Sequence, residues 1–178
     1  MIICITGMPG SGKTMAADRL KKRGFGIMEM GNIVRDMMNE KHIPINNTSL
    51  REFALKIRKQ HGRIAVAREV VKNIRKRHGD VGIVGVRSVY EIKYFRENLD
   101  DIVVIAVEAP KPMRFMRLKA RGRADDPKNQ GDFEYREKKE KRYGVEGAIK
   151  QADYVVPNNG TLKKLATEID AVLDRAGA

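Results

Sequence analysis

The sequence predicts a three-layer α/β fold, a five-stranded parallel sheet with helices on both faces. Short, wholly apolar runs alternate with segments of helical periodicity, and a glycine-rich loop stands between the first run and the first helix. Strands without polar alternation are buried on both faces, and strand–helix–strand alternation builds a parallel sheet. In such sheets ligands bind beyond the carboxyl ends of the strands, so functional residues are expected just after each strand.

Met1 to Thr6 is the first strand. Lys13 to Arg23 follows as a helix with Ala16, Ala17 and Leu20 able to face the core, and Gly24 stops it. A short strand at Gly26 to Met28 precedes a helix near Asn32 to Met38. Ile43 to Thr48, with Pro44 and two asparagines, is a loop. Ser49 and Glu52 have capping-box spacing and open a helix towards Gln60. Another helix covers Ile64 to Arg77 and ends at Gly79. Val81 to Val86 is the third strand, Val89 to Asn98 a helix and Ile102 to Val107 the fourth strand. A helix at Lys111 to Ala120 leads into polar Arg121 to Gly131 and a highly charged helix, Phe133 to Tyr143. Tyr154 to Val156 is the fifth strand, and an amphipathic helix, Leu162 to Leu173, closes the chain.

At 178 residues this is one domain. Its core spans 1–30, 80–116 and 144–178; a helical insertion covers about 31–79 and a lid about 117–143. A single cysteine, Cys4, rules out a disulfide framework. No run approaches the ~20 apolar residues that span a bilayer, and Ile2 to Ile5 is too short for a secretory leader, so a cytoplasmic protein without membrane contact is expected. Monomer and small homo-oligomer both remain open. Thirty-six Lys and Arg against 23 Asp and Glu give a net charge of +13. Such an excess suits polyanionic partners, nucleotides or nucleic acid. Its spread over predicted helices, and the lack of an aromatic RNA-binding motif, leave nucleic acid the less favoured.

The chemistry-bearing motif is Gly7-Met8-Pro9-Gly10-Ser11-Gly12-Lys13-Thr14, which fits G-x-x-x-x-G-K-[ST] between a strand and a helix. Glycines let successive backbone N–H groups converge on phosphate oxygens, and the helix start adds its positive dipole end. Lys13 is expected on the β- and γ-phosphates of ATP and Thr14 on Mg²⁺.

Around this loop the chain resembles the adenylate-kinase-related family, dephospho-CoA kinases included, in an archaeal branch. Met30-Gly31-Asn32-Ile33-Val34-Arg35 looks like the acceptor-side helix of adenylate kinases. Gly85-Val86-Arg87 is similar to their Gly–apolar–(Pro)–Arg element without the proline. Arg117-Leu118 and Arg121-Gly122-Arg123-Ala124-Asp125-Asp126, followed by Arg136 and Arg142, resemble an arginine-rich lid. Ala152-Asp153-Tyr154-Val155-Val156 with Asn158, Asn159 and Gly160 is like the last strand and base-contacting turn. The resemblance implies a kinase moving the γ-phosphate of ATP to a nucleotide-like small molecule, a nucleoside monophosphate or dephospho-CoA. It puts Arg35, Arg87 and Arg136 on the acceptor, Arg117 and Asn158 on ATP, and Lys13, Arg87, Arg121 and Arg123 in catalysis. Arginine suits these places because its planar fork grips phosphate bidentately and stays charged.

One position departs from the family. The acidic residue expected at the end of the third strand is Val84, so Glu29, at the end of the second, is the nearest substitute for supporting Mg²⁺, with Asp125 or Asp126 from the lid as others. This departure admits a slow nucleotide-binding switch, and the charge admits a polynucleotide kinase or RNA-associated ATPase. The insertion, with Arg51, Arg58, Arg63 and Arg68, is large enough to shape a pocket for an acceptor bulkier than a mononucleotide.

Overall fold

A computed structural model describes residues 1–122 and 126–178, and only the backbone at 47, 48 and 51. In chain order the elements are β1 (Ile2–Thr6), α1 (Lys13–Lys22), β2 (Gly26–Glu29), α2 (Met30–Glu40), α3 (Asn47–His61), α4 (Ala65–Ile74) and β3 (Val81–Val86). Then come α5 (Val89–Asn98), β4 (Ile102–Glu108), α6 (Lys111–Arg121), α7 (Gln130–Tyr143), α8 (Val145–Lys150), β5 (Tyr154–Pro157) and α9 (Leu162–Arg175). The sheet is fully parallel in the order β2-β3-β1-β4-β5. The five strands expected from the apolar runs are all present.

Apolar residues of alternating parity along the strands feed two cores. Ile2, Cys4, Met28 and Ile83 pack against α2, α4, α5 and α8, while Ile3, Ile5, Val84, Ile105 and Val107 pack against α1 and α9. Burying both faces is what removes polar alternation from these strands. Met28, Met30 and Met38, each buried, fill gaps around α2.

Two local readings are corrected. The capping box of α3 is Asn46 with Ser49: the Ser49 amide donates to Asn46 Oδ1 and the Asn46 amide to Ser49 Oγ, both at 2.9 Å, so the helix starts earlier than a Ser49–Glu52 box would place it. The one-and-a-half-turn helix α8 had no sequence expectation. Within the charged segment, α6 and α7 pack against each other at a firm root. Leu118 and Phe133 are buried, the Phe115 and Phe133 rings lie 5.2 Å apart, and buried Arg114 pairs with Glu137 across α6 and α7. The described structure includes no helix long and apolar enough to cross a membrane.

Candidate active site

The order of the sheet puts a topological switch at β1, between β3 and β4, and the carboxyl ends of the strands carry the candidate residues. Gly12, the N-cap of α1, has φ 113° and lies so close to the chain that a Cβ there would stand 2.5 Å from Asn158 Nδ2. Only glycine meets both demands. Around it the loop is braced from three sides. Asn158, buried after β5, donates from Nδ2 to the Ser11 carbonyl (2.7 Å) and accepts at Oδ1 from Arg117 Nη2 (3.0 Å). Arg114 Nη1 donates to the Pro9 carbonyl at 3.3 Å. Lys13 Nζ donates to the Gly7 and Met8 carbonyls at 2.7 and 3.0 Å, so its ammonium lies across the mouth of the loop.

Arg87 is aimed by a bulge. Ile5 pairs with Val84, but Thr6 pairs with Val86, and the residue skipped, Gly85, has φ 91°. Thr6 Oγ1 secures the irregularity by donating to the Val86 carbonyl at 2.8 Å. Such bulges re-aim the side chains that follow them.

These pieces enclose a cleft of about 330 Å³. Gly7, Pro9, Gly10, Gly12, Lys13 and Thr14 form its floor; Glu29 and Arg35, then Arg87, then Arg117 and Arg121, and finally Arg136 and Glu140 form its walls. The predicted cations Lys13, Arg35, Arg87, Arg117, Arg121 and Arg136 are therefore brought together. Met8 and Ser11 belong to the loop but turn away from the cleft, and Asn158 lies behind the loop as a brace. Arg142 is not in the cleft wall: it borders a recess between α3 and α7. Arg123 and Asp125 fall outside the described residues.

Burial pushes the Lys13 ammonium down to about 8, aided by Arg87, Arg136 and Arg121 and opposed by Glu140. Glu140, in turn, holds the Arg87 guanidinium firmly charged; its Oε2 lies 3.1 Å from Arg87 Nε. Asp126 is committed to Arg121 (2.9 Å from Nε) and to Arg136 (3.3 Å), which removes it as a metal ligand from the lid. Arg117 Nη1 is buried without a hydrogen-bond partner, a guanidinium N–H left for a bound acceptor atom.

A second compartment of about 340 Å³ adjoins the first and shares Gly31, Arg87, Arg136 and Glu140 with it. Val34 of α2, Leu50, Ala54 and Arg58 of α3, and Asp132, Tyr135, Lys139 and Tyr143 of α7 line the rest of it, with Asp126, Pro127 and Lys128 before α7. Arg58 stacks over Tyr143 at 4.9 Å and lies 3.8 Å from Glu91, whose carboxylate accepts from the Arg87 amide at 2.8 Å. Burial raises the Glu91 carboxyl above the usual range, and Arg58 and that amide work against the rise. Glu91, Glu137 and Glu140 were absent from the sequence expectations. A signal existed for the last two: Phe133, Glu137 and Glu140 repeat at helical spacing, and Phe133 marks that face as inward.

The residues present fit a bound Mg²⁺. Thr14 and Glu29 both line the cleft, and Glu29 is paired in register with Val84, on the sheet face shared with α1. Glu29 makes no hydrogen bond or ion pair among the described residues, so its carboxylate is uncommitted. A hydroxyl and a carboxylate are the hard oxygen donors this cation takes, directly or through water.

A family model described as an AAA domain matches residues 3–143, a span that holds every residue of the cleft wall. A UPF0200 protein of Thermococcus kodakarensis is 38% identical over 179 residues, covering 98% of this chain and 97% of its own. The chain belongs to the UPF0200 family. Another UPF0200 protein, from Thermococcus gammatolerans, is 37% identical over the whole of both chains. Among solved structures, TT1252 from Thermus thermophilus superposes with a TM-score of 0.65 at 22% identity, over 98% of this chain and 97% of that one. A shikimate kinase from Bacteroides thetaiotaomicron gives 0.65 at 14% identity, over 100% of this chain and 99% of that one. A gluconokinase from Sinorhizobium meliloti gives 0.61 at 12%, over 97% and 91%. The UPF0200 chain thus has the P-loop kinase-like α/β fold.

Proposed function

We propose that this chain is an ATP-dependent phosphotransferase that moves the γ-phosphate of ATP to a small molecule held in the second compartment. The observation that carries this reading is the shared wall: Gly31, Arg87, Arg136 and Glu140 border both the phosphate-loop cleft and the compartment beside it. Phosphoryl transfer is mostly positioning and charge stabilisation, and such a wall sets donor and acceptor in line with cations around the moving group. Lys13, the loop amides and Arg117 hold the ATP; Arg121 and Arg136, fixed by Asp126, gather charge over the transferred phosphate. Arg35 and Arg87 face the acceptor. When bound beside Thr14 and Glu29, Mg²⁺ neutralises the phosphate oxygens as a Lewis acid.

The acceptors that the family resemblance favours are nucleoside monophosphates and dephospho-CoA, and α3 makes room for the larger of these. A coupled ADP-release assay across mononucleotides, dephospho-CoA and short RNA tests the reading, with Lys13→Ala as the control. We expect acceptor-dependent ADP formation that Lys13→Ala abolishes while the variant stays folded. ATP binding without ADP formation on any acceptor would instead favour a slow switch, the reading motivated by Val84 at the end of β3.

A further inference from the structure

Glu140 has no counterpart among the roles so far assigned. A cleft built to bind phosphates spends most of its wall on cations, yet this carboxylate is part of that wall. Among the described residues it is the one carboxylate that lines both compartments: Glu29 borders the first alone, and Asp126 and Asp132 the second alone. Its side chain is 13% exposed and touches Arg87 Nε at 3.1 Å. Of all the charges around Lys13 it acts most strongly on that ammonium. Glu140 therefore sits between the lysine expected on the γ-phosphate and the arginine that faces the acceptor.

We infer that Glu140 is the proton acceptor for the attacking group, and hence that the acceptor presents a hydroxyl rather than a phosphate to the γ-phosphorus. The inference rests on the phosphotransfer reading and narrows it. A phosphate acceptor already carries its nucleophilic oxygen as an anion; it needs no base and would be repelled by a carboxylate at this point. An alcohol has the opposite needs. Its O–H proton must leave as the oxygen attacks, and a carboxylate within hydrogen-bond reach takes it. In the step, the acceptor O–H bond breaks and its proton passes to Glu140. The acceptor oxygen forms a bond to the γ-phosphorus, and the bond from that phosphorus to the β,γ-bridging oxygen breaks, its electron pair leaving with ADP. Arg87 is paired through Nε, and among the described residues its Nη atoms donate no hydrogen bond, which leaves them for the phosphoryl oxygens.

The rest of the second compartment describes the body of such an alcohol. Tyr135, Tyr143, Leu50 and Ala54 offer an apolar, ring-stacking surface, and Arg58 and Lys128 place positive charge around it. The substrate class is an alcohol bearing an apolar or aromatic portion and an anionic group away from the reacting hydroxyl. Dephospho-CoA belongs to that class; nucleoside monophosphates phosphorylated on their phosphate do not.

The test uses the full chain with ATP·Mg²⁺ and three sets of probes: nucleoside monophosphates, alcohols (dephospho-CoA, nucleosides and phosphorylated sugars), and water alone as the acceptor in basal hydrolysis. Each is measured with the parent protein, Glu140→Gln and Glu140→Ala, with product bonds identified by ³¹P NMR. Glutamine keeps an oxygen that accepts from Arg87 but cannot take a proton, so a role limited to positioning Arg87 survives in Glu140→Gln and base catalysis does not. We expect a new phosphomonoester on an alcohol, and a kcat for Glu140→Gln lower by roughly 10²–10⁴-fold with ATP affinity kept. The acidic limb of the kcat–pH profile should also disappear. That limb is read against the other groups around Glu140: Arg87 after β3, Lys13 of α1, Arg58 of α3, and Arg136 and Tyr143 of α7. With water as acceptor, Glu140→Gln should cut basal hydrolysis at least about tenfold. Transfer to a monophosphate with a diphosphate product, or a Glu140→Gln rate equal to the parent's, overturns the inference and leaves the phosphotransferase standing. No ADP from any probe, water included, would remove both.

Discussion

Replacing Asn158 by alanine removes the brace that joins the end of β5 to the phosphate loop and to α6. Two hydrogen bonds go with it: the neutral one to the Ser11 carbonyl at 2.7 Å and the charge-assisted one from Arg117 at 3.0 Å. A neutral bond contributes about 1 kcal/mol and one to a charged group about 1.5–3 kcal/mol, so the loss should be about 2.5–4 kcal/mol. The upper half of that range is favoured by the surroundings. Asn158 is buried, and Arg117 already has one buried N–H without a partner. In a domain of this size the melting temperature should fall by roughly 5–15 °C. Because the same contacts shape the loop, ATP affinity measured by calorimetry should fall with it. Asn158→Asp separates the two contacts: the carboxylate keeps Arg117 but faces the Ser11 carbonyl with no proton to offer. Thermal and urea unfolding of both variants decide the matter. A loss below about 1 kcal/mol in Asn158→Ala, with ATP affinity unchanged, would show that water replaces both contacts and that the brace holds nothing.

Two further expectations concern charge. Lys13 titrates near 8 in the free protein, and phosphate oxygens favour its ammonium form, so ATP binding should take up protons above that pH and weaken as pH rises through it. An unfolded lysine keeps its proton to about 10.4, so between about 8 and 10 this residue also makes the free protein more stable as pH rises. Calorimetry in buffers of different ionisation enthalpy reads the proton uptake; an enthalpy independent of buffer, or one unchanged in Lys13→Met, would contradict it. For the metal, Glu29→Ala should raise the Mg²⁺ concentration for half-maximal turnover. Val84→Asp added to it should restore part of the loss, because strand neighbours in register lie only about 4.8 Å apart. A Mg²⁺ dependence untouched by Glu29→Ala would place the metal's support elsewhere.

What the sequence disclosed, and what it withheld, follows from how far each residue's determinants reach. The strands were legible because a strand buried on both faces writes its environment into every residue, as Ile3, Cys4 and Ile5 do. The loop from Gly7 to Thr14 was legible because its spacing is set by backbone contacts within eight residues. Helix α8 was not: it is six residues long, carries Gly147 at its middle and has no room for a periodic face. The capping of α3 was misplaced because Asn46 and Ser49 offer a box as good as Ser49 and Glu52, and local pattern alone does not choose between them. The carboxylates of α7 were hidden in a run where nearly every residue is charged. Their partners, Arg114 and Arg87, lie 23 and 53 residues away, beyond any local rule. The motif around Asn158 is legible, but its work as a brace depends on Ser11, 147 residues earlier in the chain.

The irregularity at Gly85 has a consequence for how such a protein can change. Side chains alternate in direction along a strand, and the skipped residue is what turns Arg87 to the side where the cleft lies. The pairings upstream of it, from Val81 to Val84, do not depend on the extra residue. The orientation of Arg87 at the cleft is thus encoded by the parity of a count and not by the identity of any side chain. A lineage can alter it by length alone, leaving the loop-bearing half of the molecule untouched.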